Sequence, residues 1–469
     1  MLMRQFDCVV IGTGPAGQKA AIQAAKLGKK VAIVERNNVL GGATVNTGTI
    51  PSKALREAVM HLTGVNKRGL FGQSYRVKRH ITIADLISVS QQVVHHEMEI
   101  IRDHFDRNGI ELIWGQASFE SPTSMRVERP EDFEVLTAEK FVLASGTRPA
   151  RPGHVPFNDT SILCSDSLLK LESLPKSMII VGGGVIGTEY ACMMATLGVR
   201  VTLVEGRQEV LGFLDSEIAE AFQYQMRRAG ITLRLGEKVE KIEQLPPANG
   251  KGSLVQATLE SGKNLRASTL LYAVGRQGTT GALKLDAAGL KADDRERLKV
   301  NSFYQTEVPH IYAVGDLIGF PALASTAMEQ GRQAVCHAFG APTTSMPELF
   351  PLGIYALPEI SMVGKTEKQL TAAGIPYEAG IAQYKEIARG QLLGDDIGML
   401  KLLIHQENHQ ILGVHAIGSG ATELIHIGQA VMAFNGTVEF FINNVFNFPT
   451  LAEAYKVAAL NGLNKLNHI

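Results

Sequence analysis

The sequence predicts an α/β protein in which one strand–glycine turn–helix–strand unit is used twice. Three observations carry this. The 469 residues are too many for one hydrophobic core, since domains hold roughly 100 to 200 residues each. An apolar strand runs into a GxGxxG turn near the N-terminus, and the same arrangement returns from Met178 onward. Further short apolar runs end in small residues, as strands do where a bound molecule must approach the backbone.

In the first unit Phe6 to Ile11 reads as a strand, Gly12, Gly14 and Gly17 form the turn, an alanine-rich helix follows, and a second strand closes at Glu35. Each glycine has a task. The first permits the tight turn, the second lets a pyrophosphate reach the backbone, and the third lets the helix pack on the strand. The N-terminus of that helix then faces the phosphates with unsatisfied N–H groups. Glu35, about 20 residues past the turn, is placed to accept hydrogen bonds from an adenosine ribose, with Arg36 beside it. The second unit repeats the layout: Met178 to Val181, then Gly182, Gly184 and Gly187, a helix to Leu197, and a strand from Val201 to Glu205. Two complete units in one chain predict two Rossmann-like, ββα-inserted dinucleotide-binding domains.

Three more strand ends belong to the same fold. Phe141 to Ala144 leads into Ser145 and Gly146, Leu270 to Val274 into Gly275, and Ile311 to Val314 into Gly315 and Asp316. The Asp316 carboxylate can accept hydrogen bonds from polyol hydroxyls.

Composition excludes other classes. Lys+Arg and Asp+Glu are equal at 46 each, so nucleic-acid or acidic-membrane binding has no electrostatic footprint to rest on. The apolar run from Cys8 to Ile11 stops at glycine, which predicts no secretory signal, and no stretch approaches the ~20 apolar residues of a membrane span. Four cysteines, Cys8, Cys164, Cys192 and Cys336, have no CxxC spacing and cannot form a local redox pair. They read as small buried hydrophobes in a soluble, cytoplasmic protein. His95 and His96 sit side by side on a long amphipathic helix from Ile83 to about His104; adjacent helical side chains diverge, so they read as a solvated face rather than a metal site. The segment from Leu245 to Gly252 reads as an exposed hairpin tip.

With these units in place, the whole chain resembles the pyridine nucleotide-disulfide oxidoreductase family. The resemblance implies that the first glycine turn binds FAD and the second NAD(P)H, and that Asp316 holds the ribityl chain. It implies a division into 1–150 (FAD-binding, first part), 151–280 (NAD(P)-binding), 281–345 (FAD-binding, second part) and 346–469, an α+β domain through which a homodimer or higher homo-oligomer forms. Gly42 and Thr44 lie in the frame where the family carries its redox dithiol, GGxCxxxGCIPSK. Here the two cysteine positions are Thr44 and Thr49, and a hydroxyl can form neither a disulfide nor a thiolate. The family's acid/base histidine precedes a Pro-Thr pair; before Pro449 and Thr450 this chain has Phe448, which cannot shuttle protons.

Loss of both thiols and of their base is one consistent change. The segments from Gly48 to Arg56 and from Pro449 to Asn464 resemble the family's soluble, energy-independent transhydrogenase branch, which implies hydride transfer between NADPH and NAD+ through flavin, in ping-pong order. By the same resemblance Lys53 stabilises negative charge on the reduced ring, Glu189 is its partner, and Leu323 and Ala324 open a helix whose N-terminus meets the flavin. NAD(H) and NADP(H) are then substrates sharing one site. Glu205 suits the 2′-hydroxyl of NAD(H), and Arg207 offsets its repulsion of the 2′-phosphate of NADP(H). An NAD(P)H-dependent quinone, dye or oxygen reductase of the same fold is the alternative, and a flavin-containing sensor a third reading.

Overall fold

A computed structural model of the chain describes residues 3–72, 74–246, 252–344 and 348–466. It divides into two compact units, Met1–Leu55 with Ile87–Ala150 and Gly275–Met346, and Arg56–Leu86 with Arg151–Val274 and Pro347–Ile469. The hairpin tip expected near residue 250, and the domain boundary expected at 345/346, fall on residues outside those described.

In the first unit, strands Glu111–Trp114, Val31–Glu35, Met3–Ile11, Phe133–Leu143 and Ile311–Ala313 run parallel in that order. Their sequences are near-continuous apolar runs because both faces are covered. Cys8, Val10, Ile33 and Val142 meet the alanines of helix Pro15–Lys26. Val9, Ile11, Val34, Phe141 and Leu143 face a second cluster with Phe119, Met125 and Val127, which come from the antiparallel strands Gln116–Ser121 and Ser124–Glu128. Helix Ala324–Ala338 packs on helix Pro15–Lys26 so closely that a Cβ on Gly331 would overlap the Ala16 carbonyl.

The second unit repeats the plan. Strands Thr232–Leu235, Arg200–Glu205, Ser177–Val181, Thr269–Tyr272 and Ile162–Leu163 form a parallel sheet. The inserted layer is again antiparallel, built from Val239–Leu245, Leu254–Leu259 and Asn264–Ala267. The C-terminal part of this unit has a five-stranded antiparallel sheet, Leu352–Ile354, Ile360–Gly364, Ile411–Ile417, Met399–His405 and Tyr377–Gln383. Helices Ala421–Ala433 and Glu453–Leu466 cover it. Tyr455 ties them together, donating to the Leu424 carbonyl at 2.8 Å and accepting from Gly428 N–H at 3.0 Å.

Among the described residues no helix is long and apolar enough to cross a membrane. His95 and His96 lie exposed on helix Ile83–Arg107, 3.3 and 3.7 Å from Glu99.

Candidate dinucleotide sites

The two glycine turns have the same geometry. Gly12 and Gly182 take φ of +101° and +110°, and a Cβ on either would come within 2.5 Å of the Ala144 carbonyl oxygen or 2.7 Å of the Ala273 one. Only glycine satisfies both demands. A Cβ on Gly17 would overlap the Gly12 carbonyl oxygen, and one on Gly187 the Gly182 oxygen, so these third glycines are where helix meets strand. The second glycines differ in kind: around Gly14 and Gly184 nothing lies within 4 Å of an added Cβ. That open space is where a pyrophosphate would rest. Both also precede helices, Pro15–Lys26 and Val185–Thr196, with no side-chain cap, leaving first-turn N–H groups free for an anion.

The two acids are held differently. Glu35 is buried, and its Oε2 accepts from the Thr13 N–H at 3.1 Å and the Thr13 hydroxyl at 2.7 Å. Glu205 Oε2 accepts from the Gly183 N–H at 2.6 Å, while Oε1 takes the Arg207 N–H at 2.9 Å and the Arg207 Nε at 3.0 Å. Burial works against ionisation of Glu205, but the Arg207 side chain and the two backbone N–H groups outweigh it and hold its carboxyl below the usual range. The same contact raises the Arg207 guanidinium. Arg207 therefore stands as the partner of Glu205; at the matching place in the first unit Asn37 donates its N–H to Glu35 Oε1 at 3.0 Å, and Arg36, one residue past Glu35, is exposed.

Around the first turn the structure gathers Gly42, Ser145, Gly146 and Asp316 into the same unit. A Cβ on Gly42 would touch Gly14 Cα at 2.9 Å. Gly146 has φ +69° and open space around it. The Ser145 hydroxyl oxygen is buried without a hydrogen-bond partner, an orphan that a bound polar molecule would satisfy. Asp316 Oδ2 accepts from the Thr147 hydroxyl at 3.0 Å. Helix Ala324–Ala338 starts behind extended Leu323 and has no side-chain cap. Gly275 is exposed with φ +81°.

Several residues that shape this cradle have no signature in the sequence. Thr13 fixes Glu35. Gln330 accepts the Gly315 N–H at 2.8 Å. Arg276 donates to the Thr147 hydroxyl and carbonyl, both at 2.8 Å, and Thr279 donates to the Ser145 carbonyl at 2.7 Å. Each spans a long stretch of chain between ordinary polar residues, and no spacing rule marks it.

The dithiol frame folds as two helices, Gly42–Asn46 and Thr49–Thr63. Thr44 is on the first and half-buried; Thr49 opens the second and is exposed. All four cysteines are free and buried elsewhere. Burial pushes the thiols of Cys8 and Cys192 up to about 12, so neither is a thiolate near neutral pH. Lys53 follows Pro51 on the second helix and belongs to the first unit, whereas Glu189 belongs to the second, buried, with Oε1 accepting the Tyr355 N–H at 2.8 Å. Phe448 is 73% exposed.

The chain matches known proteins over nearly its whole length. A family model described as pyridine nucleotide-disulphide oxidoreductase matches residues 6–331, and the model for that family's dimerisation domain matches 350–459. A soluble pyridine nucleotide transhydrogenase of Mycobacterium bovis is 53% identical over 466 residues, 99% of this chain and 98% of its own. One of Colwellia psychrerythraea is 46% identical, covering 98% of both chains. A solved Cu(II) complex of the HOCl-induced flavoprotein disulfide reductase RclA from Escherichia coli superposes with a TM-score of 0.88 at 27% identity, over 98% of this chain and 99% of that one.

Proposed function

We propose that this chain, which belongs to the pyridine nucleotide-disulphide oxidoreductase family, transfers hydride between nicotinamide nucleotides, NADPH + NAD+ giving NADP+ + NADH. One observation carries the reading: two complete dinucleotide cradles stand in a chain whose dithiol positions are Thr44 and Thr49. The net reaction moves a hydride and neither consumes nor releases a proton. A residue such as Phe448 in place of a proton shuttle is therefore no handicap. The relatives at 46% and 53% identity carry transhydrogenase names, and they do not favour the quinone-reductase alternative.

In this proposal the flavin is FAD, in the first cradle. The open space at Gly14, the uncapped helix behind it and the orphaned Ser145 hydroxyl suit such a group. Bound there, FAD supplies a ring that takes hydride from one nicotinamide and returns it to another. The chain's own residues bind and orient. Gly12, Gly14 and Gly17 admit the pyrophosphate, Glu35 takes the adenosine ribose with Arg36 at its rim, and Asp316 takes polyol hydroxyls. Gly42, Thr44, Ser145, Gly146 and Gly275 present small residues where backbone and cofactor meet. Leu323 and Ala324 place a helix N-terminus, and Lys53 an ammonium, where negative charge is favoured; Glu189 is assigned as the partner of Lys53. Gly182, Gly184 and Gly187 take the nicotinamide nucleotides in turn, with Glu205 and Arg207 at their adenosine end.

The division into 1–150, 151–280, 281–345 and 346–469, a homodimer formed through the last segment, and a cytoplasmic location belong to the same proposal. Four free, buried cysteines suit a reducing compartment.

The test is an anaerobic titration of the flavin-loaded protein with NADPH, followed by NAD+. Uptake of two electrons per monomer without a thiolate charge-transfer band, then reoxidation by NAD+, is expected. Uptake of four electrons, or reoxidation by a quinone but not by NAD+, overturns the reading.

A further inference from the structure

The pairing of Arg207 with Glu205 raises a question about the phosphorylated nucleotide. Arg207 Nε lies 3.0 Å from Glu205 Oε1 and Nη2 3.3 Å from Oε2, so the two side chains together carry no net charge. A 2′-phosphate arriving there meets a neutral pair, one half of which repels it. Recognition of that group by charge needs another cation within reach of the same loop.

The neighbouring turn provides one. The Gly236 N–H donates to the Arg207 carbonyl at 2.8 Å and the Glu237 N–H to the Glu205 carbonyl at 3.2 Å, stitching residues 236–238 to residues 205–207. The methylenes of Lys238 lie over Gly206: a Cβ added to Gly206 would sit 3.2 Å from Lys238 Cγ and 3.7 Å from Cε. Gly206 is not among the glycines with positive φ, so the backbone does not demand glycine there. What glycine provides is room for the lysine stem. Lys238 is exposed, and among the described residues its ammonium makes no ion pair. Of the nearby acids, Glu209 contacts Lys368 at 3.3 Å and Glu260 accepts the Lys238 N–H at 3.3 Å, while Glu237 Oε2 is buried without a hydrogen-bond partner.

We infer that Lys238 is a specificity-determining residue for nucleotides bearing a 2′-phosphate. Its ammonium supplies the positive charge that the Glu205–Arg207 pair lacks, and Gly206 is the gap through which it reaches the site. The inference rests on the proposed use of this turn for both NAD(H) and NADP(H). With NAD(H), the pair stays closed and Lys238 remains in solvent. With NADP(H), Lys238 and Arg207 share the phosphate.

The experiment compares binding of adenosine 2′,5′-bisphosphate and adenosine 5′-monophosphate, which differ only in the 2′-phosphate, by calorimetry on the flavin-loaded protein. Lys238→Ala should weaken the bisphosphate about tenfold and the monophosphate less than about twofold. Lys238→Arg should restore most of the loss. Gly206→Val, which displaces the lysine stem, should reproduce Lys238→Ala. Equal effects on the two ligands, or none, overturn the inference. Because binding is read without hydride transfer, the two ideas fail separately. Wild type that binds the bisphosphate through Lys238 but transfers no hydride refutes only the activity, and transfer unaccompanied by Lys238 dependence refutes only the inference.

Discussion

With its guanidinium 3.0 Å from Glu205 Oε1, Arg207 contributes to nucleotide choice as half of a pair, and removing it does two things at once. Arg207→Ala deletes a phosphate ligand and also leaves a mostly buried carboxylate without its cation. The KM for NADPH should rise roughly 10- to 100-fold, the worth of one charge-assisted bond, against less than about threefold for NADH. Glu205→Gln added to Arg207→Ala should recover part of the NADPH loss and raise the KM for NADH; steady-state kinetics on the double-mutant cycle would show this. If the two KM values move together, the pair does not discriminate between nucleotides. The glycines make a second residue-scale contrast. Gly14 has open space at its Cβ, whereas a Cβ on Gly17 would overlap the Gly12 oxygen. Gly14→Ala should therefore fold with a near-native melting curve but lose flavin, and Gly17→Ala should be destabilised by about 1–3 kcal/mol. Flavin-to-protein absorbance ratios and thermal melts separate the two outcomes. Such glycines were legible in the sequence because turn, phosphate approach and helix packing each fix a position at short spacing. Lys238 was not, for it reaches residue 206 only through parallel pairing of strands Arg200–Glu205 and Thr232–Leu235.

Elements are joined by groups that pattern reading does not see. The strand–turn–helix units and the uncapped helix starts follow from apolar runs and glycine spacing. The buried cluster around Lys401 does not, because Lys401 on strand Met399–His405 meets Asp215 at the cap of helix Ser216–Arg228, 186 residues away in sequence. Lys401 Nζ donates to Asp215 Oδ1 at 2.8 Å and Glu217 Oε2 at 2.9 Å, and also to Glu367. Burial opposes ionisation of Asp215, but the hydrogen bond from Lys401 foremost, with the Glu367 N–H, holds its carboxyl below the usual range. On the lysine, burial acts downward and the three carboxylates prevail, raising it. A depressed acid contributes stability above its unfolded value, about 4, and loses it as pH falls through the folded value; a raised base contributes below about 10.4 and loses it as pH rises. Between the ordinary imidazole value of about 6.5 and 10.4 the cluster's contribution should be flat; below about 6.5 His415, whose imidazole burial holds down, removes stability because the unfolded chain takes up that proton first. Lys401→Met leaves Asp215 buried and unpaired, and should cost about 3–5 kcal/mol at neutral pH. The deficit should shrink toward pH 4, where Asp215 can take up a proton. Urea unfolding of both proteins across pH 4–8 measures it, and a deficit that does not change with pH would show that Asp215 is not the group left stranded.

At the scale of the whole molecule, an electron carrier without a redox dithiol needs no machinery to protonate a departing thiolate, and the C-terminal domain is released from that duty. Where the family places its acid/base histidine, the segment between helices Ala421–Ala433 and Glu453–Leu466 is apolar and open: Phe434 is 87% exposed, Val445 94% and Phe448 73%. Scattered surface hydrophobes are ordinary, but three this exposed within one short segment, in a domain matched by a dimerisation model, are what an unpaired protomer leaves uncovered. The proposed homodimer is expected to bury them. The double variant Phe434→Asp, Val445→Asp puts charges into that surface without touching Lys401 or the Tyr455 tie between the helices, so each protomer should keep its fold. Light scattering on the wild type should give twice the protomer mass, and on the variant a single protomer with an unchanged far-ultraviolet spectrum. Charged residues buried at an interface core cost several kcal/mol, enough to shift a micromolar or nanomolar dimer to monomer at working concentration. A variant that stays dimeric would place the interface elsewhere on the C-terminal domain.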